Sequence, residues 1–302
     1  MHKNILKSAR GLATLFAIFI FGSYIIVAQA PITGEWKART KEESSDKIYL
    51  SFSRTTEKGG KNQNGNSYYY SDLQGLSSSQ TVNGDVRFSL VREAGTIECE
   101  GTFIDGKGSG TFRFVPSPTF VSAMQSRGFD FMKATGKKHE SSPEERLFAA
   151  ATLNVTTALA DDLRTANFEN LDVDDLFKAA IFKIDGKFMS EMKATGFPNL
   201  KMEDLVKARI FKIDADYVRE IKDMGFGVTD FENLVKYRIF KVTPEYLSEL
   251  RTEGLIDLQP EQVVQLRIFK VDAAFVRDAR AKDPNISVEK IVQKKIGVWT
   301  RD

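Results

Sequence analysis

Ile210-Phe211-Lys212-Ile213 recurs almost letter for letter as Ile181-Phe182-Lys183-Ile184, Ile239-Phe240-Lys241-Val242 and Ile268-Phe269-Lys270-Val271. The step is 29 residues each time. A fixed period of this size without insertions marks stacked repeats, small units that bury their apolar faces only against a neighbour. Counted from the residue after each block, the units run 156–184, 185–213, 214–242 and 243–271, with a shorter one from 272 to about 298. A sixth precedes them, because Ser117-Pro118-Thr119-Phe120-Val121 matches Thr243-Pro244-Glu245-Tyr246-Leu247. This first unit is longer, with a polar insertion around Lys137 to Ser142.

Each unit predicts two helices. Thr156, Asp185, Asp214, Thr243 and Asp272 open the units with short polar side chains that cap a helix start. Pro244 stands where a first-turn proline is tolerated. Tyr217 and Ile221, or Tyr246 and Leu250, then fall on one helical face. The twelfth position reads Gly128, Asn167, Gly196, Gly225, Gly254 and Asp283, residue types that tolerate the left-handed backbone ending a helix. A second helix begins near Asp174, Glu203, Glu232 and Glu261, acids suited to a helix N-terminus, and carries Leu176, Leu205, Leu234 and Val263 inward. The expectation is an α-solenoid of about six two-helix repeats over residues 117–298. The Ile-Phe pairs, such as Ile210 with Phe211, are expected at the joints between repeats.

Residues 31–116 have a different rhythm. Ile48, Leu50 and Phe52 alternate with polar residues, as do Val86, Phe88 and Leu90, and both runs read as half-buried strands. Glu93-Ala94-Gly95 and Asp105-Gly106-Lys107-Gly108 supply hairpin glycines. About six strands are expected in a small antiparallel sandwich or partly closed barrel, making the chain α+β. Gly34-Glu35-Trp36 resembles the opening of lipocalin-like barrels, where a Trp closes one end. The run Glu57 to Asn66 is polar and glycine-rich enough to read as a loop. Tyr68, Tyr69 and Tyr70 follow, and three consecutive strand tyrosines cannot all face a core, so at least one ring is expected to be exposed for a sugar or a partner.

Lys3, Lys7 and Arg10 precede an uncharged run from Gly11 to Val27 and then Ala28-Gln29-Ala30, the layout of a secretory signal peptide over residues 1–30. An uncleaved anchor is the competing reading, because the apolar run reaches the short end of a membrane span and Pro31 suits a cleavage bond poorly. Either way the remainder is expected to be exported, periplasmic or extracellular, and membrane-attached only if the segment stays. Removing residues 1–30 takes three basic and no acidic residues, so the net charge of +2 becomes about −1. That balance excludes the basic footprint of a nucleic-acid binder. The single cysteine, Cys99, forbids an internal disulfide and alternates with Ile97 and Phe103 as a buried hydrophobe would.

No catalytic constellation stands out. His139 is the one imidazole outside the N-terminal segment, so neither a paired-histidine zinc site nor a Ser-His-Asp triad can be placed. No cofactor or metal is expected, and the acidic pairs at helix starts read as caps; a carboxylate-dependent hydrolase is the distant alternative. The repeats do align charges into columns: Asp162, Glu191, Glu220, Glu249 and Asp278; Arg164, Lys193, Lys222, Arg251 and Arg280; Arg209, Arg238 and Arg267; Lys183, Lys212, Lys241 and Lys270. Solvated ladders worth little each explain them plainly. The sharper reading is that the last two columns, with Tyr68 to Tyr70, meet a partner, an acidic protein or an anionic glycan.

A strand segment ending Gly108-Ser109-Gly110-Thr111-Phe112-Arg113-Phe114-Val115-Pro116-Ser117-Pro118-Thr119-Phe120, followed by units like Val242-Thr243-Pro244-Glu245-Tyr246-Leu247, resembles uncharacterised exported bacterial proteins. It is also similar to the extracytoplasmic tails of metallopeptidase sensors of the β-lactam-receptor type. The peptidase's zinc-binding helix and multiple membrane spans have no counterpart here, so the resemblance implies an envelope location and a sensing or scaffolding role without peptidase activity. The expected function is a non-enzymatic scaffold or protein-interaction protein of the cell envelope. The alternative is a sensor whose β domain binds a small molecule or sugar.

Overall fold

The computed structural model describes residues 32–40, 46–55, 60–133, 141–166, 168, 170–197, 199–226 and 228–297. The segment read as a signal or anchor lies outside them, as do His139 and Asn167. The fold is α+β, a seven-stranded antiparallel sheet curled into a half-barrel and followed, among the described residues, by twelve helices.

The strands are β1 (Ile32–Thr40), β2 (Lys47–Thr55), β3 (Lys61–Tyr69), β4 (Leu73–Gln74), β5 (Gly84–Arg92), β6 (Gly95–Ile104) and β7 (Lys107–Pro116). Their order is β3-β2-β1-β7-β6-β5-β4. The two edge strands are therefore neighbours in the chain, separated only by a 3-10 turn over Tyr70–Asp72. Six steps of about 4.8 Å would hold the edges of a flat sheet about 29 Å apart. Four residue steps reach at most about 14 Å. The short link thus requires the sheet to curl until its edges approach.

Seven strands form where about six were expected, and the strand carrying Tyr68 and Tyr69 starts earlier than read: Lys61 to Asn66, read as part of a loop, belongs to β3 and pairs with β2 along its length. Residues 62–66 are all exposed, so no alternation betrays them. The hairpin at Asp105-Gly106 forms as expected, with both residues at positive φ (48° and 74°) between β6 and β7.

Trp36 is fully buried under the sheet, donates from Nε1 to the Glu100 carbonyl at 3.1 Å and meets Phe88 edge-on at 5.2 Å. Gly101 and Gly110 sit opposite each other beneath it, and a Cβ at Gly101 would lie 2.7 Å from the indole.

The helices are α1 (Pro118–Gln125), α2 (Pro143–Leu153), α3 (Thr157–Thr165), α4 (Val173–Phe182), α5 (Gly186–Lys193), α6 (Met202–Phe211), α7 (Ala215–Asp223), α8 (Phe231–Ile239), α9 (Pro244–Thr252), α10 (Pro260–Ile268), α11 (Ala273–Lys282) and α12 (Val288–Ile296). The even-numbered helices pack in sequence from α2 to α12, and α1, α3 and α5 pack likewise. At the head of the even series, α2 also lies against β1, β6 and β7. Its Phe148 stacks on Phe112 at 5.3 Å and 12°, with Phe52 and Phe114 edge-on at 6.0 and 5.5 Å. A helix thus fills the inner face of the half-barrel, and one continuous core joins sheet and helices.

All five expected caps form, with Thr156, Asp185, Asp214, Thr243 and Asp272 accepting from the N–H three residues on at 2.7 to 3.3 Å. Gly128, Gly196, Gly225 and Gly254 take φ between 78° and 92° and end their helices as read. Asp283 departs from that column: at φ −146° it leaves α11 in extended conformation.

Candidate functional site

The repeated block is the end of a helix. In Ile210-Phe211-Lys212-Ile213, Lys212 adopts φ 54° and its N–H bonds the Arg209 carbonyl at 3.4 Å, while the Ile213 N–H bonds the Ala208 carbonyl at 2.8 Å. This is the Schellman pairing, in which a left-handed residue reverses the chain and the next residue folds an apolar side chain over the helix end. The same long bond joins Ile184 to Ala179 at 2.9 Å, Val242 to Tyr237 at 2.7 Å and Val271 to Leu266 at 2.9 Å. Lys183, Lys241 and Lys270 share the conformation at φ 54°, 55° and 53°, and Asn154, 29 residues before Lys183, at 55°.

Burial follows from that geometry and corrects the reading of the Ile-Phe pairs. The buried joint residues are the fourth letters, Ile184, Ile213, Val242 and Val271, each 1 % exposed. The first letters, Ile181, Ile210, Ile239 and Ile268, are 49 to 54 % exposed, and Phe240 is 37 % exposed. Phe182, Phe211 and Phe269 pack partly against the core. Each unit therefore presents an isoleucine and, two residues on, an exposed lysine at the ends of α4, α6, α8 and α10. Beside the first of these ends is a hollow of about 300 Å³ floored by Leu153, Leu159, Ala180 and Ile184 and rimmed by Asn154 and Lys183.

The arginine column turns inward. Arg209 Nη2 donates to the Lys183 carbonyl and Arg238 Nη2 to the Lys212 carbonyl, both at 2.8 Å. Their guanidinium carbons lie over Phe188 at 3.7 Å and Tyr217 at 3.6 Å, and Arg267 lies over Tyr246 at 4.9 Å. Each of the first two pins its own unit to the helix end of the unit before, where carbonyls carry the negative end of the helix dipole. Lys222 and Arg280 repeat the device, donating to the Thr195 and Glu253 carbonyls at 2.7 and 3.0 Å. Between successive even helices run the pairs Lys178 with Glu203 (2.7 Å), Lys207 with Glu232, and Lys236 with Glu261 (3.1 Å).

The three tyrosines separate. Tyr68 is buried and donates to the Thr152 carbonyl at 3.1 Å, and Tyr70 is half-buried with its hydroxyl 3.3 Å from Thr81 Oγ1. Tyr69 is the exposed ring, with Lys47 Nζ 4.1 Å over its centre. It stands on β3, an edge strand of the sheet.

A hollow of about 1090 Å³ runs across the sheet, lined by polar side chains that include Glu35, Arg87, Glu98, Glu100 and Arg113. Arg87 pairs with Glu100 at 3.1 Å and Arg113 with Glu98 at 3.0 Å. Among the described residues no three of His, Cys, Asp and Glu converge as a metal site, and no helix is long and apolar enough to cross a membrane.

The exposed isoleucines are what sequence reasoning missed. The signal was the lysine at a position where glycine is expected: a Schellman end buries the letter after the left-handed residue. Compared with protein-family models the chain matches none, and comparison with curated proteins gives no match.

Proposed function

We propose that this chain is a non-enzymatic, exported scaffold or protein-interaction protein of the cell envelope, its helical region a solenoid of six two-helix repeats serving as the contact surface. The observation that carries the reading is the exposed column Ile181, Ile210, Ile239 and Ile268 beside Lys183, Lys212, Lys241 and Lys270. A left-handed lysine carries a steric cost of about 1 kcal/mol or more that glycine does not, although glycine loses about 0.5–1 kcal/mol of chain entropy in exchange. Four such lysines, each next to an apolar side chain left in water, fit a surface selected for contact. The N-terminal layout and the resemblance to extracytoplasmic sensor tails support the envelope setting. Cross-linking of the full chain in its own envelope, parent against a variant with all four isoleucines changed to serine, tests the reading: the parent's cross-links are expected to disappear, and their full retention refutes it.

The sensor reading rests on a separate observation, the hollow of about 1090 Å³ on the sheet. Its paired arginines and glutamates offer donors and acceptors in the mixture a sugar requires. Soluble glycan fragments added to the full chain should then shift the resonances of Glu98 and Arg113.

A further inference from the structure

We infer that the helix-end column binds an acidic segment in polyproline II conformation, with a carboxylate at every third residue. The inference rests on the interaction-surface reading and adds the partner's chemistry and spacing. The even helices α4, α6, α8 and α10 pack side by side, and packed helices lie about 8–10 Å apart. Lys183, Lys212, Lys241 and Lys270 lie at the ends of these helices in one left-handed conformation; at the spacing of packed helices, cations at equivalent ends would stand about 8–10 Å apart. A polyproline II strand turns once in three residues and rises about 3.1 Å per residue, returning the same face every 9 Å or so. A β-strand returns a face every two residues, about 7 Å, and falls out of step by the second repeat.

Three further features select the occupant. The lysines are cationic and exposed, so the complementary groups are anionic. The exposed isoleucines and the 300 Å³ hollow at Leu153, Leu159 and Ala180 call for apolar groups between the charges, which proline and aliphatic residues supply and a polyanionic glycan does not. Two residues beyond each of Lys183, Lys212 and Lys270 stands an exposed cap, Asp185, Asp214 or Asp272. Those carboxylates oppose a uniformly anionic bilayer, whereas a segment with spaced charges can place its own carboxylates on the lysines. A preformed polyproline II strand also loses little conformational entropy on docking.

The test uses the full chain and three probes: a labelled (Glu-Pro-Val)4 peptide, a peptide of the same composition with its glutamates clustered, and phosphatidylglycerol vesicles. Fluorescence anisotropy should show the spaced peptide binding at least about tenfold more tightly than the clustered one. Changing Lys183, Lys212, Lys241 and Lys270 together to Gly should weaken it by about tenfold or more, since each exposed pair is worth a few-fold. Glycine suits the left-handed backbone, so the variant should stay folded, with its melting temperature shifted by no more than several degrees. Equal binding of the two peptides, both lost in the glycine variant, overturns the spacing and leaves the interaction surface standing. Binding to vesicles alone, or to none of the probes, overturns the inference. Failure of the surface itself is read separately, from cross-links that survive the isoleucine changes.

Discussion

Arg238 sits over the ring of Tyr217, its guanidinium carbon 3.6 Å from the ring centre, while its Nη2 donates at 2.8 Å to the carbonyl of Lys212. One side chain thus ties the first helix of a unit, the second helix of that unit and the helix end of the unit before. Arg238→Ala is expected to lower unfolding free energy by about 1–3 kcal/mol, the sum of a cation–π stack and a charge-assisted hydrogen bond. Arg238→Lys should recover only part, because an ammonium cannot stack and donate as a planar fork does. Urea denaturation of both variants checks this. A midpoint unchanged in Arg238→Ala would return the arginine to the solvent-facing column that its spacing alone suggested.

Much of this was legible in the chain, and the gaps have physical causes. The 29-residue period and the short polar caps predicted where the odd helices from α3 onward begin, because capping is local chemistry that a few residues decide. The first half of β3 was hidden because residues 62–66 are all exposed, leaving no alternation to read. The division between Lys212 and Arg209 was hidden for another reason. Both are repeated cations within four residues, yet Arg209 stays on the helix and reaches its neighbour's helix end, whereas Lys212 stands exposed at the backbone reversal. The reversal folds Ile213 back into the core, while Ile210, still on the helix, faces outward.

Phe148 is where the helices meet the sheet. It touches Phe52, Phe112 and Phe114 from α2, the first helix of the even series. Phe148→Ala should cost about 3–5 kcal/mol, as large aromatic truncations in a close-packed core do. If sheet and helices share one cooperative core, near-ultraviolet circular dichroism and far-ultraviolet helix signals should melt together in the parent and at a lower temperature in the variant. Loss of sheet signals alone would show two independent cores.

Cys99 is 2 % exposed and its thiol is held above the ordinary range by burial. The thiolate is the reactive form, so iodoacetamide at pH 8 should leave the native protein unlabelled and modify it fully in denaturant, as read by intact mass. A native disulfide-linked dimer would contradict this placement.

Acid should weaken the helical region first. The Glu203 carboxyl is lowered from its ordinary 4.5 chiefly by the hydrogen bond from Lys178, and Glu261 by its own helix-start N–H and then by Lys236. Carboxyls lowered in the folded state bind protons more weakly there than in the unfolded chain. Their stabilisation is therefore complete above about pH 5 and is lost as pH falls through their folded values. Urea midpoints should hold between pH 7 and 5 and drop toward pH 3, and Lys178→Met should reduce the drop. An identical drop in that variant would assign the acid sensitivity elsewhere.

Lys212 gives the most direct test of why the block is written as it is. Its φ of 54° is one that glycine adopts without strain, and the four glycines ending the odd helices α1, α5, α7 and α9 show that the chain uses glycine where only the backbone matters. If the lysine were there for structure alone, its charge near a helix C-terminus would have to outweigh the strain. That dipole interaction is worth about 0.3–1 kcal/mol at an exposed site, whereas the left-handed penalty is about 1–2 kcal/mol. The glycine's extra freedom when unfolded takes back roughly 0.5–1 kcal/mol. The balance predicts that Lys212→Gly changes stability by less than about 0.5 kcal/mol. Lys212→Val, with a branched Cβ, should lose about 1 kcal/mol or more. Denaturation of the pair measures both differences. A loss above about 1 kcal/mol in the glycine variant would mean that the Lys212 side chain stabilises the fold, and the case for an outward role would fall with it.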